Sequence, residues 1–250
     1  MQNITSRKNP LLVHIKKLGQ DPAYRRECGE FLCDGDKLYQ EAVNAGVEII
    51  QVLTSCKEMA QSIGQRAIFV PQDVLNSIST VKTPQNVVFT CKMQPHMQQD
   101  TVNRVLILDG VQDPGNAGTL IRTAYAFAVD AVLLVGNSAD IYSPKTVRAT
   151  MGAMFKQKVC CMDDYVQLFS YLQQQQLPLY GAALAEESIS LPMQLPKRVA
   201  IAIGSEGGGL SNAIAEQCAY TVKIPMQLGS ESLNAAIAGG IILWEMFRQQ

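Results

Sequence analysis

A glycine loop that carries a carboxylate and no lysine is the first stretch of this chain that could do chemistry. It reads VAIAIGSEGGGLS, and its apolar start is typical of a buried strand. Glycines at a strand end often cradle a phosphate, but here Glu206 lies among them. The chain has neither a G-x-x-x-x-G-K-S/T motif nor a G-x-G-x-x-G motif after a strand, which argues against a nucleotide site built around phosphate. The loop therefore predicts an uncharged or cationic ligand.

S-Adenosylmethionine fits that description, because it carries a sulfonium and an ammonium group and no phosphate. In this interpretation the glycines let the backbone approach the ligand closely, and Glu206 faces its positive charge. The alternative is that Gly207–Gly209 form a turn and Glu206 caps the helix that follows. A serine hydrolase is disfavoured because GSEG lacks the register of G-x-S-x-G, and both histidines, His14 and His96, precede residue 98.

Three loops that follow predicted strands contain the other polar candidates. They read LDGVQDPGNAGTLIRTA, IGSEGGGLS and IPMQLGSESLNAAIAGG. Strands and helices alternate along this part of the chain, and the strands are apolar, which indicates a mostly parallel sheet covered on both faces. Ligands bind at the carboxyl ends of the strands in such sheets. We therefore expect the three loops to meet at one edge.

The elements that would position these loops fall into two domains. Residues 1–97 read as a small α/β domain, with a helix in NPLLVHIKKLG and another that ends at Gly46, where a C-cap glycine belongs. The polar stretch KMQPHMQQDTVN separates it from a larger α/β domain over residues 98–250. In the larger domain the pattern predicts a single helix over SPKTVRATMGAMF and a last helix from Glu231 to Arg248.

Composition is that of an ordinary globular protein and gives no sign of a nucleic-acid partner. The chain has 250 residues, 47% of them hydrophobic, and a net charge of −1. An RNA contact would therefore need a local basic patch, for which the best candidate is the first domain's N-terminal segment; the alternative is a solvated charged face. The basic residues of that segment are Arg7, Lys8, Lys16, Lys17, Arg25 and Arg26.

Cysteine and histidine usage argues against disulfides and metal. The seven cysteines are odd in number and form no C-x-x-C pair, so we expect buried reduced thiols. Two histidines exclude a histidine-rich metal site, and we expect no metal. No signal peptide and no membrane span are visible, so we expect a cytoplasmic protein.

Together, DPGNAGTLIRTA, IAIGSEGGGLS and IPMQLGSESLNAAIAG resemble the three signature motifs of the SpoU/TrmH-type RNA 2′-O-ribose methyltransferases of the SPOUT class. The segments ITSRKNPLLVHIKKL and RECGEFLCDGDKLYQEAV are similar to that family's substrate-binding domain, so the resemblance covers nearly the whole chain. It implies a small N-terminal α/β substrate-binding domain (residues 1–97) and a C-terminal α/β-knot methyltransferase domain (residues 98–250) whose mostly parallel sheet is trefoil-knotted.

The resemblance also implies S-adenosyl-L-methionine as cofactor, RNA as substrate and a homodimer, and we expect ribosomal rather than transfer RNA. One alternative is a non-catalytic RNA-binding homologue that keeps the fold. Another, a nucleotide-dependent α/β enzyme of a different kind, is weakened by the missing phosphate motifs.

Carried over residue by residue, the resemblance assigns catalytic roles to Asn116, Arg122, Glu206, Ser232 and Asn234. We interpret Arg122 as a clamp on the target phosphate that also stabilises developing alkoxide charge, because a guanidinium with a pKa above about 12 rarely gives up its proton. The alternative is a surface arginine on an amphipathic helix. Asn116 could instead be a helix N-cap, and capping would explain one of Ser232 and Asn234.

The same resemblance implies a cofactor pocket built from backbone groups and apolar side chains. Simple core packing is the alternative for Ile224, Met226 and Leu233. In the last helix, the small residues of AAIAGG would let another backbone approach closely, either the threaded chain or a dimer partner. The cofactor-binding residues expected are Ala182, Ala183, Gly204, Ile224, Met226 and Leu233.

Overall fold

The computed structural model describes residues 2–94, 101–227 and 229–249. These described residues fold into two compact units. The division predicted near residue 97 lies outside them.

Residues 140–155 form part of the first unit, together with the described residues before position 95. The sequence-based division assigned them to the second domain. Packing explains the difference, because Val147, Met154 and Phe155 are buried in an apolar cluster with Phe31 and Phe89. The remaining described residues make up the second unit.

The strands and helices follow one another along both units. The strands are β1 (Gln2–Asn3), β2 (Glu30–Asp34), β3 (Ile49–Thr54), β4 (Ala67–Phe69), β5 (Val87–Lys92), β6 (Arg104–Asp109), β7 (Ala131–Val135), β8 (Lys158–Cys161), β9 (Leu179–Ala182), β10 (Ile189–Ser190), β11 (Val199–Ile203) and β12 (Tyr220–Lys223). The helices are α1 (Pro10–Gln20), α2 (Pro22–Cys28), α3 (Asp36–Asn44), α4 (Lys57–Ile63), α5 (Gln72–Asn76), α6 (Pro114–Ala126), α7 (Pro144–Ala149), α8 (Tyr165–Gln174), α9 (Asn212–Gln217) and α10 (Ala235–Phe247).

The first unit is an α/β domain on a sheet whose described strands have the order β1-β4-β3-β5-β2. Strand β5 runs antiparallel to β2 and β3, whereas β1, β4 and β3 are parallel. Helix α1 buries Leu12, Ile15 and Leu18, the spacing that predicted it. Gly46 has a φ of +67°, which confirms the glycine expected after α3.

Three of the six basic residues predicted to form a patch on the first unit make contacts within that unit. Arg7 pairs with Asp73 at 2.8 Å, and the Lys17 ammonium lies 3.9 Å from the centre of the Tyr24 ring. Arg25 is buried and donates to Asp140, so the expectation that it contributes to a basic surface is wrong. From the sequence alone Arg25 is expected at the surface, because its partner Asp140 is distant in the chain and is brought close only by the fold.

The second unit contains a parallel sheet, as the sequence predicted. Its described strands have the order β10-β12-β9-β11-β6-β7-β8, and every pair is parallel. Strands β7 and β11 are buried along their whole length, because helices cover both faces of such a sheet. Strands β6 and β11 are neighbours, and β12 is separated from β11 by β9 alone. The loops after β6, β11 and β12 therefore start from one edge of the sheet.

Two predicted helices are shorter than expected. Helix α7 ends at Ala149, because Met151 and Gly152 have φ angles of +51° and +91°, which a helix cannot contain. Helix α10 begins at Ala235 rather than at Glu231, because Asn234 acts as its N-cap.

Helix α10 packs closely on α6, and this contact explains the small residues of AAIAGG. A Cβ added at Gly239 would lie 2.3 Å from Leu120 Cδ2. The close approach expected of this helix is thus made to a helix of the same chain.

The seven cysteines are all free thiols in the described structure. The expectation that they are buried holds for Cys33, Cys91 and Cys160, but Cys28 and Cys161 are exposed. Among the helices of the described residues, none is long and apolar enough to cross a membrane.

Candidate functional site

Three predicted catalytic residues, one from each motif loop, form a single hydrogen-bonded cluster in the second unit. The side-chain amide of Asn116 donates to Glu206 Oε1 at 2.7 Å. The amide of Asn234 donates to the same oxygen at 2.5 Å and to Asn116 Oδ1 at 3.0 Å. Glu206 Oε2 accepts no hydrogen bond within the described structure. The cluster therefore fixes a carboxylate while one of its oxygens stays available to a ligand.

Helix capping orients the two asparagines, in agreement with the capping alternative for one of Ser232 and Asn234 but not with the one for Asn116. Asp113 is the N-cap of α6 and accepts from the Asn116 backbone N–H at 2.8 Å, so the N-cap alternative for Asn116 is wrong. Asn234 is the N-cap of α10, where its Oδ1 accepts from the backbone N–H groups of Ala236 and Ile237. Its Oδ1 thus caps the helix while its Nδ2 reaches Glu206.

The glycine loop is closed on itself by backbone hydrogen bonds. Ser205 and Gly209 exchange N–H···O bonds of 2.9 and 3.0 Å, and Ser205 Oγ accepts from Gly208 N. A Cβ at Gly204 would lie 2.1 Å from backbone atoms of Gly209, so only glycine fits there. Helix α9 is capped by Ser211, so the alternative that Glu206 caps this helix is wrong.

A buried aspartate, which the sequence interpretation missed, ties the glycine loop to the sheet. Asp109 ends β6 and is 2% exposed. Its Oδ1 accepts from the Tyr165 hydroxyl at 2.8 Å, and its Oδ2 accepts from Ser211 N at 2.6 Å. Burial, followed by the Asp109 charge, raises the pKa of the neighbouring Cys218 thiol to about 11. The sequence signal for this role was a carboxylate at the end of an apolar strand. Its two partners, Tyr165 and Ser211, are too far away in the sequence to be predicted from it.

One cavity of the second unit contains every predicted cofactor-binding residue. Its volume is about 510 Å³, within the range of roughly 300–1,000 Å³ typical of small-molecule sites. Its walls come from β9, the glycine loop, the segment after β12 and the start of α10. The predicted residues in its lining are Ala182, Ala183, Gly204, Ile224, Met226, Leu233 and Ser232.

The charged groups of this lining suit a cation. They are Glu187, Glu206 and Lys223. The Lys223 ammonium donates to the backbone carbonyls of Ala185 and Glu186, so it is already engaged. The carboxylates and the glycine cradle therefore fit the sulfonium and ammonium of S-adenosylmethionine.

A second cavity, of about 450 Å³, adjoins the first. The segment after β6, including Gln112 and Asn116, forms part of its wall, and the glycine loop forms the rest. Ser205, Glu206 and Gly208 line both cavities. Glu206 therefore stands where a ligand in one cavity would meet a ligand in the other.

Arg122 is not brought into the cluster. It is exposed, lines neither cavity, and has no side-chain hydrogen bond or ion pair within the described structure. Helix geometry explains this, because a residue six positions after Asn116 points about 120° away around the axis and lies about 9 Å along it. Ser232 is exposed at the first cavity, without a hydrogen bond in the described part of the chain.

The chain matches two sequence families. Residues 103–244 match the SpoU rRNA Methylase family, and residues 9–88 match the MRM3-like substrate binding domain. The chain is 30% identical to the 23S rRNA (guanosine(2553)-2′-O)-methyltransferase RlmP of Bacillus subtilis (strain 168), over 98% of this chain and 99% of that protein.

Solved structures show the same architecture. The SpoU methyltransferase AviRb of Streptomyces viridochromogenes, in complex with AdoMet, superposes with a TM-score of 0.88 at 25% identity, over 97% of this chain and 98% of that one. An AdoMet-bound rRNA methyltransferase of Sinorhizobium meliloti gives a TM-score of 0.84 at 30% identity, over 99% and 97% of the two chains.

Proposed function

Because the chain belongs to the SpoU rRNA Methylase family, we propose that it methylates the 2′-hydroxyl of a ribose in RNA with S-adenosyl-L-methionine as methyl donor. The observation that carries the proposal is the Asn116–Glu206–Asn234 cluster at the shared wall of two cavities. One cavity takes the cofactor, and the other takes the target nucleotide.

In this proposal the residues of the first cavity bind the cofactor, and the two asparagines position Glu206. S-Adenosylmethionine supplies an electrophilic methyl group. The first cavity holds it through the backbone of Gly204 and the side chains of Ile224, Met226 and Leu233, with Ala182 and Ala183 beside them. Asn116 and Asn234 hold the Glu206 carboxylate in place. Its Oε2 accepts a hydrogen bond from a ligand in either of the two cavities that Glu206 lines.

Two further residues have roles in this proposal. Ser232 is a hydrogen-bond donor at the mouth of the first cavity. Arg122, which has no partner in the described structure, clamps a phosphate of the RNA and stabilises developing negative charge. No step of the proposal requires a metal ion.

We propose ribosomal RNA as the substrate and the cytoplasm as the location. The named relatives support the choice of RNA, since the Bacillus subtilis protein is a 23S rRNA methyltransferase that aligns over nearly its whole length. We also propose the trefoil knot that the resemblance implied.

We propose that the protein acts as a homodimer. Ile237, Ile241 and Trp244 lie at positions i, i+4 and i+7 of α10 and are 56%, 38% and 51% exposed. This spacing places them in one row on one face of the helix. An exposed apolar row of this kind marks an interaction surface.

The test is methyl transfer from radiolabelled S-adenosylmethionine to purified ribosomal RNA and transfer RNA, followed by mapping of 2′-O-methyl sites. We expect label in ribosomal RNA at a defined ribose. Glu206→Gln should lower the rate at least tenfold, whereas Glu216→Gln, an exposed glutamate on α9, should leave it unchanged. RNA binding without label in either RNA would favour the non-catalytic homologue.

A further inference from the structure

A third cavity, of about 320 Å³, lies wholly within the first unit. Three segments that are distant in sequence form its lining, at positions 34–38, 81–85 and 148–151. Its volume is at the small end of the range of roughly 300–1,000 Å³ for ligand sites, and it is separate from the residues assigned to methyl transfer.

Part of the lining of this cavity is apolar. Leu38 is buried, Val81 is half-buried, and Met151 exposes 41% of its surface. Met151 has a φ of +51°, a conformation that non-glycine residues seldom adopt. Such strain persists only where the surrounding structure enforces it, and it is concentrated at functional sites. Here it holds a thioether side chain at the mouth of the cavity.

The same lining contains two cations, Lys37 and Arg148. Both are exposed, and neither side chain has a hydrogen bond or an ion pair in the described structure. Asp34 lines the same cavity, and its Oδ2 accepts from Ser79 Oγ and Thr80 N. Burial raises the pKa of Asp34, and Arg148 opposes that effect. With two cations and one carboxylate, the lining of the cavity has a formal charge of +1 when Asp34 is ionised.

Half of the basic segment predicted from the sequence is already engaged, because Arg7, Lys17 and Arg25 have partners within the unit. Lys37 and Arg148 instead lie in the lining of a cavity that also has an apolar surface. Cations beside an apolar surface can hold the phosphate and the base of an unpaired nucleotide.

We propose that this cavity binds one unpaired nucleotide of the RNA substrate, with the base against Leu38, Val81 and Met151 and the phosphate between Lys37 and Arg148. The proposal rests on the proposed function, because it takes RNA as the ligand. A duplex does not fit this site, since its bases are stacked and paired and cannot enter the hollow.

The test measures binding of a labelled single-stranded hexaribonucleotide to the full chain by fluorescence anisotropy, with a blunt duplex of the same sequence as a second probe. We expect the K37A/R148A double variant to weaken hexamer binding about tenfold or more. The slope of log Kd against log salt should fall by about 0.7 for each phosphate that the variant no longer neutralises. The matched control K57A/R66A removes two exposed cations of the same unit outside the cavity and should change the affinity less than twofold.

A second variant, Thr83→Trp, obstructs the mouth of the cavity without removing charge. It should also weaken hexamer binding, while its unfolding temperature and its affinity for S-adenosylmethionine stay at the wild-type values. Unchanged hexamer affinity in both K37A/R148A and Thr83→Trp would overturn the proposal. An equal weakening of hexamer and duplex binding would also overturn it, because it would indicate a general charge effect.

Competition with nucleoside monophosphate distinguishes RNA from a free nucleotide. A monophosphate that binds as tightly as the hexamer would overturn the proposal in favour of a free nucleotide. Failure of the proposed function gives a different result. Hexamer binding that depends on Lys37 and Arg148, without methyl transfer to any RNA, would support the cavity and refute the reaction.

Discussion

Replacing Gly204 with alanine tests whether the glycine loop builds the cofactor cavity. The new Cβ would lie 2.1 Å from the carbonyl carbon and oxygen of Gly209 and 2.4 Å from Leu210 N. Ordinary contact begins at 3.4 Å, so the loop must shift by about 1.3 Å. The clashing atoms belong to the backbone, and a side-chain rotation cannot relieve the clash.

The expected cost follows from what the shift disrupts. Overpacking costs about 1–3 kcal/mol, and the two hydrogen bonds between Ser205 and Gly209 are worth about 1 kcal/mol each. We therefore expect the free energy of unfolding to fall by about 3–5 kcal/mol. For a chain of this size that corresponds to a decrease in Tm of roughly 6–20 °C.

Cofactor binding should weaken as well, because Gly204 and its neighbours line the cavity. We expect Kd for S-adenosylmethionine to rise at least tenfold, which corresponds to about 1.4 kcal/mol. Titration calorimetry measures Kd, and differential scanning fluorimetry measures Tm.

Gly207→Ala is the matched control within the same loop. A Cβ at Gly207 would meet no atom within 4 Å, and the glycine has no positive φ. We expect its Kd to stay within twofold of wild type and its Tm within about 2 °C, as for an ordinary surface substitution. If Gly204→Ala behaves like Gly207→Ala, the close packing of Gly204 against Gly209 does not shape the cofactor site.

Four further predictions test the site and its surroundings. Asp109→Ala should weaken S-adenosylmethionine binding and lower the unfolding free energy by about 2–4 kcal/mol, because two partly buried donors, Tyr165 Oη and Ser211 N, lose their acceptor. Wild-type values for both would remove Asp109 as an anchor of the loop. Arg122→Ala should reduce single-turnover methylation about 10- to 100-fold with RNA still bound, and full activity would favour the surface-arginine interpretation. Trp244→Glu should convert the dimer to a monomer in light scattering, and a monomeric wild type would refute the proposed interface. At pH 8 the raised pKa of Cys218 leaves about one thiol in a thousand ionised, so it should react with a thiol reagent far more slowly than Cys28; equal rates would contradict the burial argument.

The structure also changes how the predicted catalytic residues are grouped. Asn116, Glu206 and Asn234 form one hydrogen-bonded cluster, so the effects of substituting them should be strongly non-additive. Arg122 is outside that cluster, and the effect of substituting it should be separable from theirs. This separation favours a role in holding RNA over direct contact with the carboxylate.

The sequence by itself determined the class of fold and indicated the loops that carry the candidate site. Apolar strands that alternate with amphipathic helices predict a parallel sheet. A strand that is buried on both faces must be apolar along its whole length, and this run is visible within one short segment of the sequence. Glycine placement likewise pointed to the loop at Gly204, since a position that only glycine can occupy restricts its own sequence. The cofactor-binding residues, by contrast, were implied by the resemblance to the SpoU/TrmH family. Even helix caps were visible as residue types, although the N-cap role offered as the alternative for Asn116 belongs to Asp113.

Only the tertiary structure decided which groups meet. The placement of residues 140–155 in the first unit, the burial of Arg25 against Asp140, and the anchoring of the glycine loop by Asp109 all depend on contacts between distant segments. Whether a charged side chain faces solvent, a partner or a cavity is set by the chain that packs against it. Local sequence patterns do not contain that information, because the free energy of a buried charge depends on a neighbour that can lie a hundred residues away.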